Sequence, residues 1–385
     1  MAIIGLEATY LSIYGKGASR YQYNLVKALA KRDKRNCYYV FLNQKNILPE
    51  LPEQDNFYYI RIHIPSRIIW DQFQLPFIVR KYKLDIYHSL LDTLPVASKG
   101  KCVLFLFEIP DYRIELARQR GYCSLYAKLS FGYTRFLFRP SLRKAKVIIA
   151  SSHSTKKDLV ERYNVNEKKI RVVYPAADEC FHTADDEKSL LNTRKRYNAE
   201  AGYLLHISSS DPRDNTPAVI RAYQKVHSKL RTPKKLIICG SINPEESGLK
   251  KLITELGLEN SIIFTGCLSL LSEELVALYQ AADLFIDPSL YEGFGFQVVE
   301  AMACGIPVIT SNVTSLPEIV ADAGVLVSPT DIDSLASAII MVLTDSRLRE
   351  ILCQKSLERA KFFSWDKTAQ ETLAIYDALL AESDY

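Results

Sequence analysis

Two glutamates with seven residues between them bracket a glycine turn in the stretch DLFIDPSLYEGFGFQVVEAMACGIPVITSNVTSLPE, Asp283 to Glu318. Gly293 and Gly295 free the backbone to approach a ligand and to expose amides at the start of a helix, predicted from about Phe296 to Ala303. Amides in that position bind anions such as a diphosphate. Glu292 precedes the helix and Glu300 lies in its second turn, roughly 6 Å along the axis at ~1.5 Å per residue. The two carboxylates can therefore reach different parts of one ligand. Cys304-Gly305 ahead of Pro307 is a glycine stop. A glycine turn leading into a helix with one solvent-facing Glu occurs in many α/β proteins, so the pattern alone does not decide the chemistry.

Such a loop needs a strand before it and a sheet around it. Short β-rich runs recur with helical segments between them. The first series is Ile3–Glu7, Tyr38–Leu42, Asp85–His88, Val103–Phe107, Val147–Ala150 and Arg171–Val173. The second is Tyr203–Ile207, Leu236–Cys239, Ser261–Thr265, Leu284–Asp287, Pro307–Thr310 and Val325–Val327. Near-continuous apolar strands alternating with helices predict parallel sheets covered on both faces, and two series predict two doubly wound domains. Tyr174-Pro175 ends the first series and an acidic, strandless stretch follows, which places the boundary near residue 180. Ligands of open parallel sheets sit beyond the carboxyl ends of the strands, so two such domains facing each other would make a cleft.

The size of the chain, 385 residues, suits two domains, and its 48% hydrophobic and 24% charged residues are those of a globular protein. A net charge of +5, from 49 basic and 44 acidic residues, does not argue for nucleic acid. Eight cysteines without a CxxC pair point to free thiols rather than a zinc module. The start MAIIGLEATYL lacks a basic lead and carries Glu7 in its apolar run, and no apolar run approaches the ~20 residues that span a bilayer. The expected location is cytoplasmic, or peripheral on the inner face of the membrane.

The string PSLYEGFG…EAMACGIPVI…SLPE is very similar to the signature of glycosyltransferase family 4, a large retaining family with the GT-B fold. IIFTGCLSLLSEELVALYQAADLF upstream and AGVLVSPTDIDSLASAI downstream extend the resemblance. GKGASRYQYNLVKAL and IIWDQFQLPFIVRKYKLDIYHS resemble the family's first-domain segments, and FSWDKTAQETLAIYDALL resembles the helix that crosses back onto that domain. The resemblance implies two Rossmann-like domains across a cleft. Residues 1–180, completed by about 363–385, would form the acceptor domain, and residues 181–362 would carry a nucleotide sugar. It also implies roles: Glu300 on the ribose hydroxyls, Glu292 on the donor sugar, and Gly293, Phe294, Gly295, Phe296 and Ser209 around the sugar and diphosphate. Gly17 would approach the diphosphate from the first domain. The acceptor would be a saccharide or a lipid-linked saccharide, and no metal or other cofactor is expected.

The chain departs from the family in two places. Ser208-Ser209-Ser210-Asp211-Pro212-Arg213-Asp214 keeps an arginine but puts Asp214 where the family usually has Lys. An anion beside a diphosphate is unfavourable unless it points away, which leaves Arg213 to carry the leaving-group charge with help from helix amides. Phe107-Glu108 replaces the usual His-Asp, so Phe107 is either a core residue or the wall of a pocket for a 6-deoxyhexose or pentose. His88 is the other candidate for the acceptor or sugar pocket, although strand-end histidines are more often structural.

Hydrolysis and acyl transfer lack candidate residues. Asp331-Ile332-Asp333 fits a metal-binding Asp-x-Asp, but it opens a helix and reads as an N-cap. A sugar-nucleotide-binding scaffold that no longer transfers is the alternative from another class. The basic, aromatic stretch Tyr112–Lys146 reads either as helices with their aromatics in the core or as a contact for anionic lipid.

Overall fold

The computed structural model describes the chain except residues 14–16, 96–99, 113–114, 116–124, 270–271 and 383–385, and for 125–131 it describes the backbone alone. Seven strands form the N-terminal sheet: β1 (Ile3–Glu7), β2 (Cys37–Asn43), β3 (Phe57–Ile62), β4 (Ile86–Ser89), β5 (Lys101–Leu106), β6 (Val147–Ala150) and β7 (Ile170–Val172). Six more form the C-terminal sheet: β8 (Tyr203–Ile207), β9 (Lys235–Cys239), β10 (Ile262–Gly266), β11 (Leu284–Asp287), β12 (Val308–Ser311) and β13 (Val325–Val327).

The strand orders are β3-β2-β1-β4-β5-β6-β7 and β10-β9-β8-β11-β12-β13, and every recorded pairing is parallel. Both orders reverse direction once, between β1 and β4 and between β8 and β11. That switch point is where open α/β sheets leave a crevice at the strand ends. Central strands such as β5 and β9 are buried along nearly their whole length, as expected when helices cover both faces. β3 is absent from the sequence reading. It is an edge strand with one buried residue in six and Arg61 near its end, so it lacks the apolar run that marks the central strands.

The chain divides into Met1–Pro175 with Ser364–Tyr385, and Ala176–Phe363. The break falls five residues ahead of the sequence boundary, and Phe181, just beyond that boundary, is buried edge-on to Tyr279 in the second unit. In the second unit, the helix Phe296–Ala303 ends as read, with Gly305 at φ 74°. Asp331 caps the helix Ile332–Thr344, accepting from the Ser334 amide at 2.9 Å. Among the described residues no helix is long and apolar enough to cross a membrane.

The last helix, Trp365–Ala381, packs on the helix Gly17–Arg32 within the N-terminal unit. Its Thr368 hydroxyl donates to the Tyr174 carbonyl at 2.6 Å, and Asp366 and Asp377 pair with Arg32 and Arg35 at 2.6 and 3.2 Å. Deeper, Tyr376 is fully buried and meets His88 Nδ1 at 2.6 Å. His88 is therefore a core residue beneath this helix, not the wall of an open pocket. Burial pushes its imidazole down to about 3, so it is neutral at physiological pH. Among the described residues its Nε2 meets no hydrogen-bond partner, and Tyr376 is the polar partner recorded for the ring. Replacing Tyr376 by Phe should strand a buried imidazole and cost about 1–3 kcal/mol. Urea unfolding followed by the fluorescence of Trp365 and Trp70 checks this; an unchanged midpoint would show that the bond contributes nothing.

Candidate functional site

At the switch point of the C-terminal sheet two loops meet. One follows β8 through Ser208–Ser210 into a tight turn, Pro212–Asp214. The other follows β11 through Pro288 to Gly295. The Leu290 amide donates to the Arg213 carbonyl at 2.8 Å, which fixes one loop on the other. Asn215, at φ 56°, donates from its side-chain amide to the carbonyls of Pro288 and Pro329 at 3.0 and 2.8 Å. Asn tolerates the left-handed conformation better than most residues.

Gly295 caps the helix Phe296–Ala303 at φ 95°, and an added Cβ would lie 2.8 Å from the Leu316 side chain. The position therefore requires glycine both for its backbone and for space. Phe294 and Phe296 are buried, their rings 5.3 Å apart and edge to face, so the amides of this turn are held on a packed base. Upstream of the turn, the Glu292 amide donates to Thr314 Oγ1 at 3.0 Å, and Ser315 Oγ donates to the Glu292 carbonyl at 2.9 Å. Thr314 sits at φ 56°, a strained conformation for a β-branched residue, costing on the order of 1–3 kcal/mol. Thr314 and Ser315 belong to the TSLPE trail, which the sequence reading quoted only as part of a signature.

Glu300 is only 1% exposed, and its Oε2 accepts the Tyr279 hydroxyl at 2.9 Å. A buried carboxylate is retained only where donors meet it, and Tyr279 supplies one. Tyr279 lies in the ALYQAAD string, whose periodicity marks a helix but not the direction in which this hydroxyl points. Glu292 is half-buried, so the two carboxylates occupy different environments, one enclosed and one partly open.

Around Arg213 two aspartates take different courses. Its guanidinium is not presented singly: Nε donates to both oxygens of Asp211 at 3.1 Å, and Nη2 to Oδ2 at 2.8 Å. Asp214, which replaces the usual lysine, turns back and accepts the Ser209 amide on Oδ2. Burial is the main cause that raises the Asp214 carboxyl to about 7, and the nearby Asp211 and Asp287 push it the same way. Asp287, at the end of β11, is raised to about 6 by burial, against the Ser289 hydroxyl that donates to it. The anionic charge that the sequence appeared to place at this turn is thus partly neutralised near pH 7. Ser209 is half-buried, and its hydroxyl accepts the Asp211 amide at 3.1 Å. His206 bonds the Ile286 carbonyl and Thr216 with its two ring nitrogens and is lowered to about 4 by burial, so it is a neutral strut.

In the N-terminal unit Gly17 opens the first helix, while Gly15 and Lys16 lie outside the described residues. The Phe107 ring is half-buried and packs edge-on to Tyr21 and Phe105, with centroids 5.5 and 4.7 Å away. It serves an aromatic cluster and gives no support to a pocket for 6-deoxy sugars. Sequence reading also missed a polar hub at the ends of β1 and β4. Buried Glu7 accepts from Trp70 Nε1, the Tyr87 hydroxyl and Ser89 Oγ at 2.8, 2.9 and 2.7 Å. Beside it, buried Asp71 accepts from Thr93 at 2.6 Å and from Tyr133 at 3.1 Å. Burial, then the Asp71 charge, raise the Glu7 carboxyl above its ordinary value.

Comparison with known proteins agrees with this architecture. The family described as glycosyl transferases group 1 matches residues 192–359, and glycosyltransferase family 4 matches residues 15–179. The O-antigen chain mannosyltransferase B of Escherichia coli is 32% identical over 305 residues, covering 78% of this chain and 76% of that protein. The serotype-specific mannosyltransferase WbdA of Escherichia coli is 30% identical over 243 residues, and the match spans only 30% of its length. Among solved structures, sucrose-phosphate synthase from Thermosynechococcus elongatus superposes with a TM-score of 0.79 at 20% identity over the whole of both chains. Anabaena Alr3699/HepE, solved in complex with UDP-glucose, gives 0.75 at 17% identity over 98% of this chain and 100% of that one. With its two Rossmann-like parallel sheets, the chain belongs to glycosyltransferase family 4 and has the GT-B fold.

Proposed function

We propose that the chain moves a hexosyl residue, mannose foremost, from a nucleoside diphosphate sugar to a saccharide hydroxyl in cell-envelope polysaccharide synthesis, with retention at the anomeric carbon. The observation that carries this is one strand–turn–helix unit at the switch point of the C-terminal sheet. It joins a glycine turn with buried flanks to a half-open carboxylate, Glu292, and an enclosed one, Glu300. Mannose comes from the relatives, two of which are named as mannosyltransferases.

In this reading Glu300, oriented by Tyr279, takes the ribose hydroxyls. Glu292 meets hydroxyls of the donor sugar, and the amides of Phe294, Gly295 and Phe296 hold its phosphates. Charge grows on the diphosphate as it leaves, and oriented amides with the Arg213 guanidinium stabilise that charge where it develops. Asp211 sets the direction of Arg213 and tempers its charge. No protein nucleophile is assigned; the acceptor hydroxyl attacks the face that the diphosphate leaves, and positioning supplies most of the remaining rate. No metal is assigned a part. The scaffold reading, in which the chain binds but does not transfer, draws on the pairing of Arg213 with Asp211.

Incubating the chain with a panel of nucleoside diphosphate sugars separates these readings. The expected result is turnover of a mannose donor above its 6-deoxy analogue in kcat/KM, persisting in the presence of a chelator. Binding without transfer or donor hydrolysis would favour the scaffold, and activity restored only by added divalent metal would remove the metal-free mechanism.

Glu300→Gln should weaken nucleotide binding, whereas Glu292→Gln should mainly lower kcat. Losing a charged partner to a hydroxyl costs about 1.5–3 kcal/mol, or roughly ten- to hundredfold. Nucleotide titration and steady-state kinetics on both variants check this. Wild-type values for both would mean that the two carboxylates are misassigned.

Asp214 gives the site a pH signature. Its folded carboxyl is raised to about 7 from an ordinary value near 4, so the folded state holds a proton that the unfolded state has lost. Stability from this group is full below about pH 4 and is lost as pH rises towards 7. Ionisation also puts a negative charge beside Arg213, so the donor KM should rise as pH passes 7. Asp214→Asn should flatten both trends, as melting temperatures and KM measured between pH 5 and 8.5 (about two units below and one and a half above that value) would show. An unaltered KM profile would separate Asp214 from the donor site.

A further inference from the structure

The helical run 67–81 has too many apolar faces for its place in the fold. It comprises Arg67–Ile69, a π turn Trp70–Gln74 and Leu75–Lys81. Its inner face is accounted for, since Trp70, Leu75, Ile78 and Val79 all belong to the N-terminal core. The outer face carries Ile69, Phe73 and Phe77 at four-residue spacing, with Phe73 70% and Phe77 67% exposed. Exposed Arg80 and Lys81 follow. A helix apolar on both sides is normally covered on both. No described residue covers this outer face.

The neighbouring helix Leu125–Lys144 continues the surface. Its Tyr133 hydroxyl bonds Asp71 and Gln72 at 3.1 and 3.2 Å, which sets it beside the π turn. One turn further on, Phe136 is 78% exposed, and exposed Arg139 and Arg143 follow at helical spacing on the same face. The sole acid in 67–81 is the buried Asp71, and residues 132–146 contain none. Aromatic side chains accompanied along both helical segments by cations and by no exposed acid match the interfacial zone of an anionic bilayer, where rings enter the acyl boundary and guanidinium groups meet phosphates. A second copy of the chain fits less well, because a two-fold contact sets the same patch against itself and brings like charges together.

We propose that this face of the N-terminal unit, centred on Phe73, Phe77 and Phe136 and bordered by Arg80, Lys81, Arg139 and Arg143, docks the protein on anionic lipid. The principal anchor is the 67–81 run, outside the basic stretch Tyr112–Lys146 that composition singles out. The proposal is independent of which sugar is transferred.

Co-sedimentation of the full chain with phosphatidylcholine–phosphatidylglycerol vesicles, and with phosphatidylcholine vesicles alone, tests it. Binding to the mixed vesicles at low salt and little to the neutral ones is expected. Phe73→Ser combined with Phe77→Ser should lower the partition coefficient by about tenfold or more, since two apolar rings leave the membrane. Arg80→Gln combined with Arg143→Gln should lower it by roughly tenfold or more and reduce its salt dependence. Both pairs lie on the surface, so melting temperature and transfer to a soluble acceptor should stay at wild-type values. Absence of wild-type binding would overturn the proposal, as would binding that ignores the Phe pair. Sedimentation velocity showing a dimer that the Phe pair dissolves would overturn it too, by identifying the face as a self-interface.

Discussion

One side-chain amide holds the C-terminal site together. Asn215 reaches from the loop after β8 to carbonyls in the loops after β11 and β13, at 3.0 and 2.8 Å. Those carbonyls belong to Pro288 and Pro329, and the proline rings at both positions narrow the backbone freedom of the loops themselves. The amide is buried, so its loss would take a donor from the buried Pro288 carbonyl and the partly buried Pro329 carbonyl and release three strand ends from a common reference. The turn Pro212–Asp214 ends at Asn215, and Leu290 donates to the Arg213 carbonyl, so the position of the guanidinium and that of the glycine turn are set by the same local scaffold.

Around that scaffold the charges are arranged by burial as much as by pairing. Asp214 lies close enough to Asp211 and Asp287 to feel both, and Asp211 pairs with Arg213, which by formal count leaves an excess of negative charge where an anionic ligand is proposed to sit. Low polarity opposes that count. Asp287 and Asp214 are raised to about 6 and 7, and each accepts a hydrogen bond within its own loop, from Ser289 and Ser209. A carboxyl that is partly protonated near neutrality opposes a neighbouring phosphate less than a fully ionised one. The family's usual lysine adds a positive charge at this position, whereas Asp214 here is only partly ionised near neutrality and braces the serine loop through the Ser209 amide.

Much of this was legible because the periodic signals were strong. Twelve of the thirteen strands were legible as short β-rich runs, the central ones most clearly because burial on both faces keeps them apolar throughout. β3 escaped although it lies at an edge like β7, β10 and β13: its run FYYIRI buries only Phe57 and is interrupted by Arg61. The helix Phe296–Ala303 and its glycine stop were plain because Gly295 and Gly305 stand where positive φ is required. Side-chain direction was not legible. Glu300 was read as one Glu on a helix, while its enclosure depends on Tyr279, 21 residues away in sequence. His88 and Phe107 were weighed as pocket residues by their place at strand ends. Their surroundings, Tyr376 for one and Tyr21 with Phe105 for the other, come from helices distant in sequence or from the next turn of an aromatic cluster.

The two sheets put polar groups at equivalent switch points but finish them differently. In the N-terminal sheet, Glu7 at the end of β1 is met by donors from Thr9, Trp70, Tyr87 and Ser89, and Asp71 beside it by Arg67, Thr93 and Tyr133. Each carboxylate there is met by several side chains of its own unit, and such networks rigidify what they join. What they join is β1, β4 and the 67–81 run, so a buried polar lattice underlies the same segment whose outer face carries Phe73 and Phe77. The C-terminal switch point instead spends its hydrogen bonds on backbone: the donors to Asp214 and the partners of Glu292 are loop amides, hydroxyls and carbonyls. Backbone-held loops fix the course of the chain while leaving side chains such as Glu292 partly open. A closed lattice suits a platform and an open, backbone-braced turn suits a ligand site, which is the division of labour that the proposed transfer requires.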